Sequence, residues 1–145
     1  MSFNDQFDLE IREIDENNLI LRCRMKEDFL NEINAVHGGV LMTLADDASG
    51  FIASAKKYTA PTLSMTTNFL RPLMATKYIY AKAKVIKRGS RIITVDCEVY
   101  GDDEKICAVT RAEFAILGKK IKPSASTELA YTKGKYKTFW LEGIF

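Results

Sequence analysis

The stretch NEINAVHGGVLMTLADDASG, residues 31–50, decides how the rest of the chain is read. It places His37, the chain's single histidine, directly before Gly38 and Gly39, then opens an apolar run that carries two adjacent acids, Asp46 and Asp47. Laid out at about 100° per residue, Val40, Leu41, Leu44, Ala48, Phe51, Ile52 and Ala55 share one broad apolar face, which predicts a helix over 39–56. The flank of that helix is small, with Ala45, Ser49, Gly50, Ala53 and Ser54. Such a helix can be wrapped closely by a curved sheet, or can approach a second copy of itself.

On both sides of this segment the hydrophobic period changes to two, the pattern of strands with one buried face. Phe7, Leu9 and Ile11 alternate with Asp8, Glu10 and Arg12, and Leu19, Leu21, Cys23 and Met25 follow the same rule, so a hairpin turning through 15–18 is expected. After the helix, Leu63, Met65 and Phe69 mark a third strand that ends at Pro72, and Ile79, Ala81, Ala83 and Val85 form one face of a fourth over 78–87. The turn KRGSR leads to Ile93, Val95, Cys97 and Val99, and the turn GDDE leads to Ile106, Ala108, Phe114 and Ile116. Two strands, a helix and four strands predict an α+β domain, a curved and mostly antiparallel sheet of about six strands on one long helix.

From residue 119 onward the period is lost, and KKIKPSASTELAYTKGKYKTFWLEGIF mixes lysines with Tyr131, Tyr136, Phe139, Trp140 and Phe145. The chain is therefore read as one domain over 1–118 and a basic, aromatic tail over 119–145. Disordered segments are poor in aromatics, so Phe139 and Trp140 are expected to dock on the domain or on a neighbouring subunit.

A length of 145 residues suits one domain with its own core. Lysine and arginine total 21 against 19 aspartates and glutamates, and a net charge of +2 gives no field that argues for nucleic acid. Charge is uneven along the chain: residues 1–33 hold nine acids and four bases, whereas 71–91 hold seven bases and no acid, an edge that would suit phosphates. Cys23, Cys97 and Cys107 sit inside apolar alternation without paired spacing, as expected of buried thiols in the cytoplasm. No apolar run approaches the roughly 18 residues of a membrane span, and the N-terminus lacks a basic-then-apolar signal, so no membrane insertion is expected. One histidine and no cysteine pair at ligand spacing set aside a protein-bound transition metal, and no cofactor is expected.

Where the helix begins, its first N–H groups have no intrahelical acceptor, and Gly38 and Gly39 let a ligand approach them. That is hardware for holding a carbonyl oxygen or an anion. The plainer reading is a loop histidine beside a glycine turn. Two acids in mid-helix weigh against it, because a half-buried carboxylate is costly unless paired, although a solvated helix face would accommodate both. Asp46 lies eight residues past Gly38, about 12 Å along the axis, too far to attack a carbonyl held at the helix start. A second subunit with its helix antiparallel across a twofold axis would bring the two together.

Taken together, NEINAVHGGVLMTLADDASG, TLSMTTNFLRP and VIKRGSRIITVDCEVY resemble the hotdog-fold acyl-CoA thioesterases of the phenylacetate-pathway type, a branch that includes the mammalian thioesterase superfamily member 2 proteins. The likeness runs from Phe7 to Leu117. It implies a sheet wrapped around a central helix, a homodimer or a homotetramer built as a dimer of dimers, and hydrolysis of an acyl-CoA to free acid and coenzyme A. In that family an asparagine six residues before the histidine, the His-Gly-Gly unit, an aspartate nine after it and a serine on the following strand line the site; here these are Asn31, His37, Gly38, Asp46 and Ser64. The resemblance implies that the Gly38 N–H polarises the thioester carbonyl, with Gly39 beside it against the substrate, while His37 orients the loop and the carbonyl oxygen. Asp46 of the partner subunit would act as general base or nucleophile, Asn31 would position water or carbonyl, and Ser64 would hydrogen-bond near Asp46. The basic run, Arg88 and Arg91 foremost, would meet the phosphates of coenzyme A. Two positions depart from the family: Asn34 stands where glycine is common, and Asp47 where a small polar residue is.

Two other readings keep the fold: an acyl-CoA or acyl-chain binding protein without turnover, and a hydratase or dehydratase. The intact set of His37, Gly38 and Asp46 favours the thioesterase over both.

Overall fold

The N-terminal hairpin pairs β1 (Leu9–Ile14) with β2 (Asn18–Arg24) in a computed structural model that describes residues 3–54 and 59–118. Asp15 builds the turn: its Oδ1 accepts the N–H groups of Asn17 at 2.9 Å and Asn18 at 2.8 Å. These bonds, the one from Asn17 first, hold its carboxyl below the usual aspartate range. The long helix α1 (Gly38–Ala53), the only α-helix among the described residues, follows, then β3 (Thr62–Phe69), β4 (Tyr78–Arg88), β5 (Ile92–Tyr100) and β6 (Ile106–Ala115). All six strands form one antiparallel sheet in the order β1-β2-β4-β5-β6-β3, the expected hotdog arrangement. Two single 3₁₀ turns, Phe3–Gln6 and Glu27–Phe29, fall outside the sequence periodicities. The tail 119–145, with Phe139 and Trp140, lies outside the described residues, as do Ala55 and Lys56 at the end of the expected helix. Among the described residues no helix is long and apolar enough to cross a membrane.

Helix and sheet fit because small residues meet small residues. Ala45 and Ala48 of α1 and Ala81 and Ala83 of β4 are all fully enclosed, so the helix backbone lies close over the middle of the sheet. Larger side chains fill the margins: Leu44 and Ile52 on the helix, Leu19, Leu21, Ile79, Ile93, Val95, Val99 and Phe114 on the strands. Truncating one of the leucines or isoleucines to alanine would cost about 2–5 kcal/mol. The three cysteines are free and buried, as read from their alternation; burial pushes the Cys23 thiol up to about 11 and raises Cys97 and Cys107 as well.

On the outer face of the sheet, charges meet across strands. Lys82 stands opposite Glu98 and Lys84 opposite Asp96, Arg111 gives Asp96 a two-pronged bond at 2.6 and 2.8 Å, and Arg22 meets Glu10 at 2.8 Å. Two lysines of the basic run over 71–91 thus stand opposite acids across the sheet. Arg88 goes further, because its guanidinium donates to the carbonyls of Ala53 and Ile52, both at 3.3 Å, and to that of Glu16 at 3.2 Å. A cation on the last carbonyls of a helix satisfies groups that lack an intrahelical partner and opposes the negative end of the dipole. Arg88, expected at the phosphates of coenzyme A, thus lies against the end of α1 and the β1–β2 turn. Arg91 remains exposed.

The strand next to the helix start is the edge of the sheet, since β3 pairs with β6 alone among the described strands. Its entry is clamped by the Ala115 N–H on the Pro61 carbonyl at 3.0 Å and the Leu117 N–H on the Thr59 carbonyl at 2.8 Å. Between Thr62 and Ser64 the register shifts by one residue, a β-bulge that leaves Leu63 57% exposed. Directly opposed residues share a face of the sheet. Thr62, opposite buried Phe114, therefore lies on the helix side, whereas Ser64, opposite Glu113, lies on the outer side with Thr66 and Asn68. The alternation read from Leu63, Met65 and Phe69 breaks at its first member for this reason.

Candidate active site

The loop ahead of α1 is fixed by its own polar groups. Asn31 Oδ1 accepts the N–H groups of Ile33 and Ala35, each at 3.1 Å, and the Asn31 N–H donates to the Ala35 carbonyl at 2.8 Å. With Oδ1 so engaged, the amide nitrogen is the end of Asn31 that can serve a substrate or a water. Asn34 sits at φ +60°, in the left-handed region that asparagine tolerates better than most residues, so its departure from the family's glycine is accommodated. The His37 N–H then donates to the Phe29 carbonyl at 2.8 Å and seats the histidine at the mouth of the helix.

His37 is the N-cap of α1. Its Nδ1 accepts the Gly39 N–H at 2.9 Å while its carbonyl accepts that of Val40 at 2.9 Å, which makes the neutral ring, by hydrogen-bond assignment, the tautomer protonated at Nε2. The Gly39 N–H is thereby occupied by the histidine ring. The Gly38 N–H has no acceptor among the described residues. Both glycines are dictated by close approach rather than by φ, which is negative at each. A Cβ on Gly38 would lie 3.0 Å from Cζ of Phe69, and one on Gly39 would lie 3.1 Å from the capping Nδ1. Phe69 thus walls the helix start from the edge strand, a role that its place in an alternating pattern did not announce.

Eight residues along the helix the two acids part company. Asp46 is half-buried, and its Oδ1 accepts the hydroxyl of Thr62 at 2.8 Å. Within the chain Thr62 holds the position expected of Ser64, which the bulge turns to the outer side. Asp47 turns inward instead. Its Oδ2 is enclosed without a hydrogen-bond partner, its carboxyl meets the Asn4 side chain from the 3₁₀ turn Phe3–Gln6, and the solvated helix face considered for it does not hold. Burial, then the charge of Asp46, pushes Asp47 up to about 7 against the pull of Asn4. The adjacent carboxyls thus sit in different surroundings, Asp46 on the Thr62 hydroxyl and Asp47 enclosed beside Asn4.

The sequence pattern of the thioesterase superfamily matches residues 33–108, just over half of the chain, a span that holds His37, Gly38, Asp46 and Thr62. This chain belongs to the thioesterase superfamily. Within it the chain resembles PaaI: it is 27% identical over 117 residues to the acyl-coenzyme A thioesterase PaaI of Escherichia coli strain K12, covering 81% of this chain and 84% of that protein. The structure of the E. coli PaaI protein from the phenylacetic acid degradation operon superposes with a TM-score of 0.77 at 26% identity, over 81% of this chain and 86% of that one. A Streptococcus mutans structure bound to acetyl CoA shares the fold, with a TM-score of 0.73 at 20% identity over 78% of this chain and 91% of that one.

Proposed function

We propose that this protein hydrolyses an acyl-CoA thioester to the free acid and coenzyme A, in a site shared between two copies of the chain. One observation carries the reading: at the start of α1 His37 occupies the Gly39 N–H, leaving the Gly38 N–H, beside the Phe69 ring, as a donor for a thioester carbonyl oxygen. A carbonyl held there is beyond reach of Asp46 on the same helix, about 12 Å along its axis. The partner subunit's Asp46 fills the gap when the two helices run antiparallel. A second copy is supported by the edge of β3, unpaired among the described strands, and by Leu63, Phe69, Leu70 and Met74, large apolar residues left exposed along and after that strand.

In this reading Asp46 takes a proton from water as the water oxygen bonds to the carbonyl carbon. The oxyanion that forms is met by the Gly38 N–H and the Nε2–H of His37, and the Asn31 amide nitrogen steadies the water. The carbon–sulfur bond then breaks, its electron pair leaves on the coenzyme A sulfur, and the proton held by Asp46 passes to that sulfur. Arg91 meets the phosphates. The likeness to PaaI and the acetyl CoA held by the S. mutans neighbour support acyl-CoA as the substrate class. The buried free thiols suit a reducing compartment, and we place the protein in the cytoplasm. The test is a panel of short, long and aromatic acyl-CoA thioesters read by released thiol, with turnover expected on at least one class. Binding of acyl-CoA without turnover on any would leave a ligand-binding protein in its place.

A further inference from the structure

We infer that Thr62 is the residue that positions Asp46, and that the β-bulge between Thr62 and Ser64 is what brings it there. The inference rests on the thioesterase reading above and adds a residue to its machinery. A general base needs one carboxylate oxygen directed at the water, and a carboxyl free to turn about its last torsion gives that direction only part of the time. The Thr62 hydroxyl donates to Oδ1 of Asp46 at 2.8 Å and leaves Oδ2 for the water. Thr62 is itself well anchored. It is β-branched and therefore restricted in χ1, it stands opposite fully buried Phe114, and the two backbone bonds at Pro61 and Thr59 fasten the chain just before it.

In a regular strand Thr62 and Ser64, two residues apart, would share a face. The extra residue separates them, so that one hydroxyl reaches the helix and the other goes to the outer side. Bulges commonly re-aim a side chain beside an active site, and here the re-aimed group ends on the carboxylate that the mechanism requires.

The experiment uses the full chain and the best substrate from the thioester panel. Thr62→Val removes the hydroxyl and nearly keeps the shape; kcat should fall about tenfold while KM stays within about twofold, the pattern of lost positioning rather than lost binding. Thr62→Ser, which restores the donor, should recover most of that loss, and Ser64→Ala should change kcat by less than about twofold. A double-mutant cycle of Thr62→Val with Asp46→Asn, read as denaturation midpoints, should be non-additive because the two groups touch. An unchanged kcat in Thr62→Val, a larger loss in Ser64→Ala, or an additive cycle would overturn the inference while leaving the hydrolase intact. A wild-type chain inactive on every thioester overturns the hydrolase itself and the role of Thr62 with it.

Discussion

Nδ1 of His37 accepts the N–H of Gly39 at 2.9 Å, and this bond ties the stability of α1 to the state of the ring that faces the substrate in our reading. Asparagine can take over the cap but not the reach of an imidazole Nε2–H. His37→Asn should therefore unfold within a few tenths of a kcal/mol of wild type, whereas His37→Ala should lose about 1 kcal/mol. Both should lose about tenfold or more in kcat/KM. Urea unfolding and thioester kinetics on the same preparations make the comparison, and an alanine variant as stable as wild type would deny His37 the cap.

The two acids should separate cleanly in kinetics. Asp46→Asn should lower kcat by about 100-fold or more, as loss of a general base does, with the fold retained. Asp47→Asn should lower it by less than about threefold, because its carboxyl is turned toward Asn4 and away from Thr62. The opposite ranking would hand the chemistry to Asp47.

Asp47 should also leave a mark on stability against pH. The unfolded chain releases this proton near 3.8 and the folded chain near 7, so between those values the folded state binds a proton that the unfolded state has lost. Stability contributed at this position is therefore full below the lower value, falls as pH rises through the window, and levels above about 7. Asp47→Asn, which mimics the protonated form, should flatten that component and be more stable than wild type in mild alkali. Urea midpoints of both chains across the range give the difference curve, and parallel curves would contradict it.

A shared site predicts rescue by mixing. Gly38→Pro removes the donor N–H and Asp46→Asn removes the base, so each chain alone should be inactive. After verified subunit exchange, hybrid dimers should recover part of the wild-type rate, since one of their two sites is whole. Continued inactivity would count against a site built from two chains.

Arg88 and Arg91, three residues apart, should fail in different assays. Arg88→Met removes charge-assisted bonds to the end of α1 and to the β1–β2 turn, and should cost about 1.5–3 kcal/mol with KM for acyl-CoA little changed. Arg91→Ala should leave the unfolding midpoint in place and raise KM several-fold at low salt, less so at high salt.

The fold was legible because its periods are clean. Alternation at Ile79, Ala81, Ala83 and Val85, and helical spacing at Leu41, Leu44 and Ala48, are set by burial against one common core, and each of these residues is buried. The loop was legible through types that do local work: Asn31 folding back on its own backbone, Asn34 in the left-handed region, two glycines with close neighbours. What escaped was fixed by contacts across the molecule. A one-residue bulge exchanges the faces of Thr62 and Ser64 without altering composition, and nothing in KRGSR says that Arg88 meets a helix end 35 residues earlier in the chain. Asp46 and Asp47 are adjacent and chemically alike, and the difference between them comes from the strand on one side and the 3₁₀ turn on the other.

The three enclosed cysteines have a practical consequence for studying this chain. A thiol attacks a disulfide reagent as the thiolate, and enclosure keeps Cys23, Cys97 and Cys107 both out of reach and protonated at neutral pH. A coloured disulfide that counts coenzyme A as it is released would therefore meet a folded protein with almost no background of its own. Left with the protein and no substrate, the same reagent becomes a clock for spontaneous opening, because each sulfur registers only when its own part of the interior parts. Cys23 on β2 would time the hairpin side of the sheet and Cys107 on β6 the side that carries the edge strand, so variants that keep one cysteine at a time would show which half of the fold lets go first.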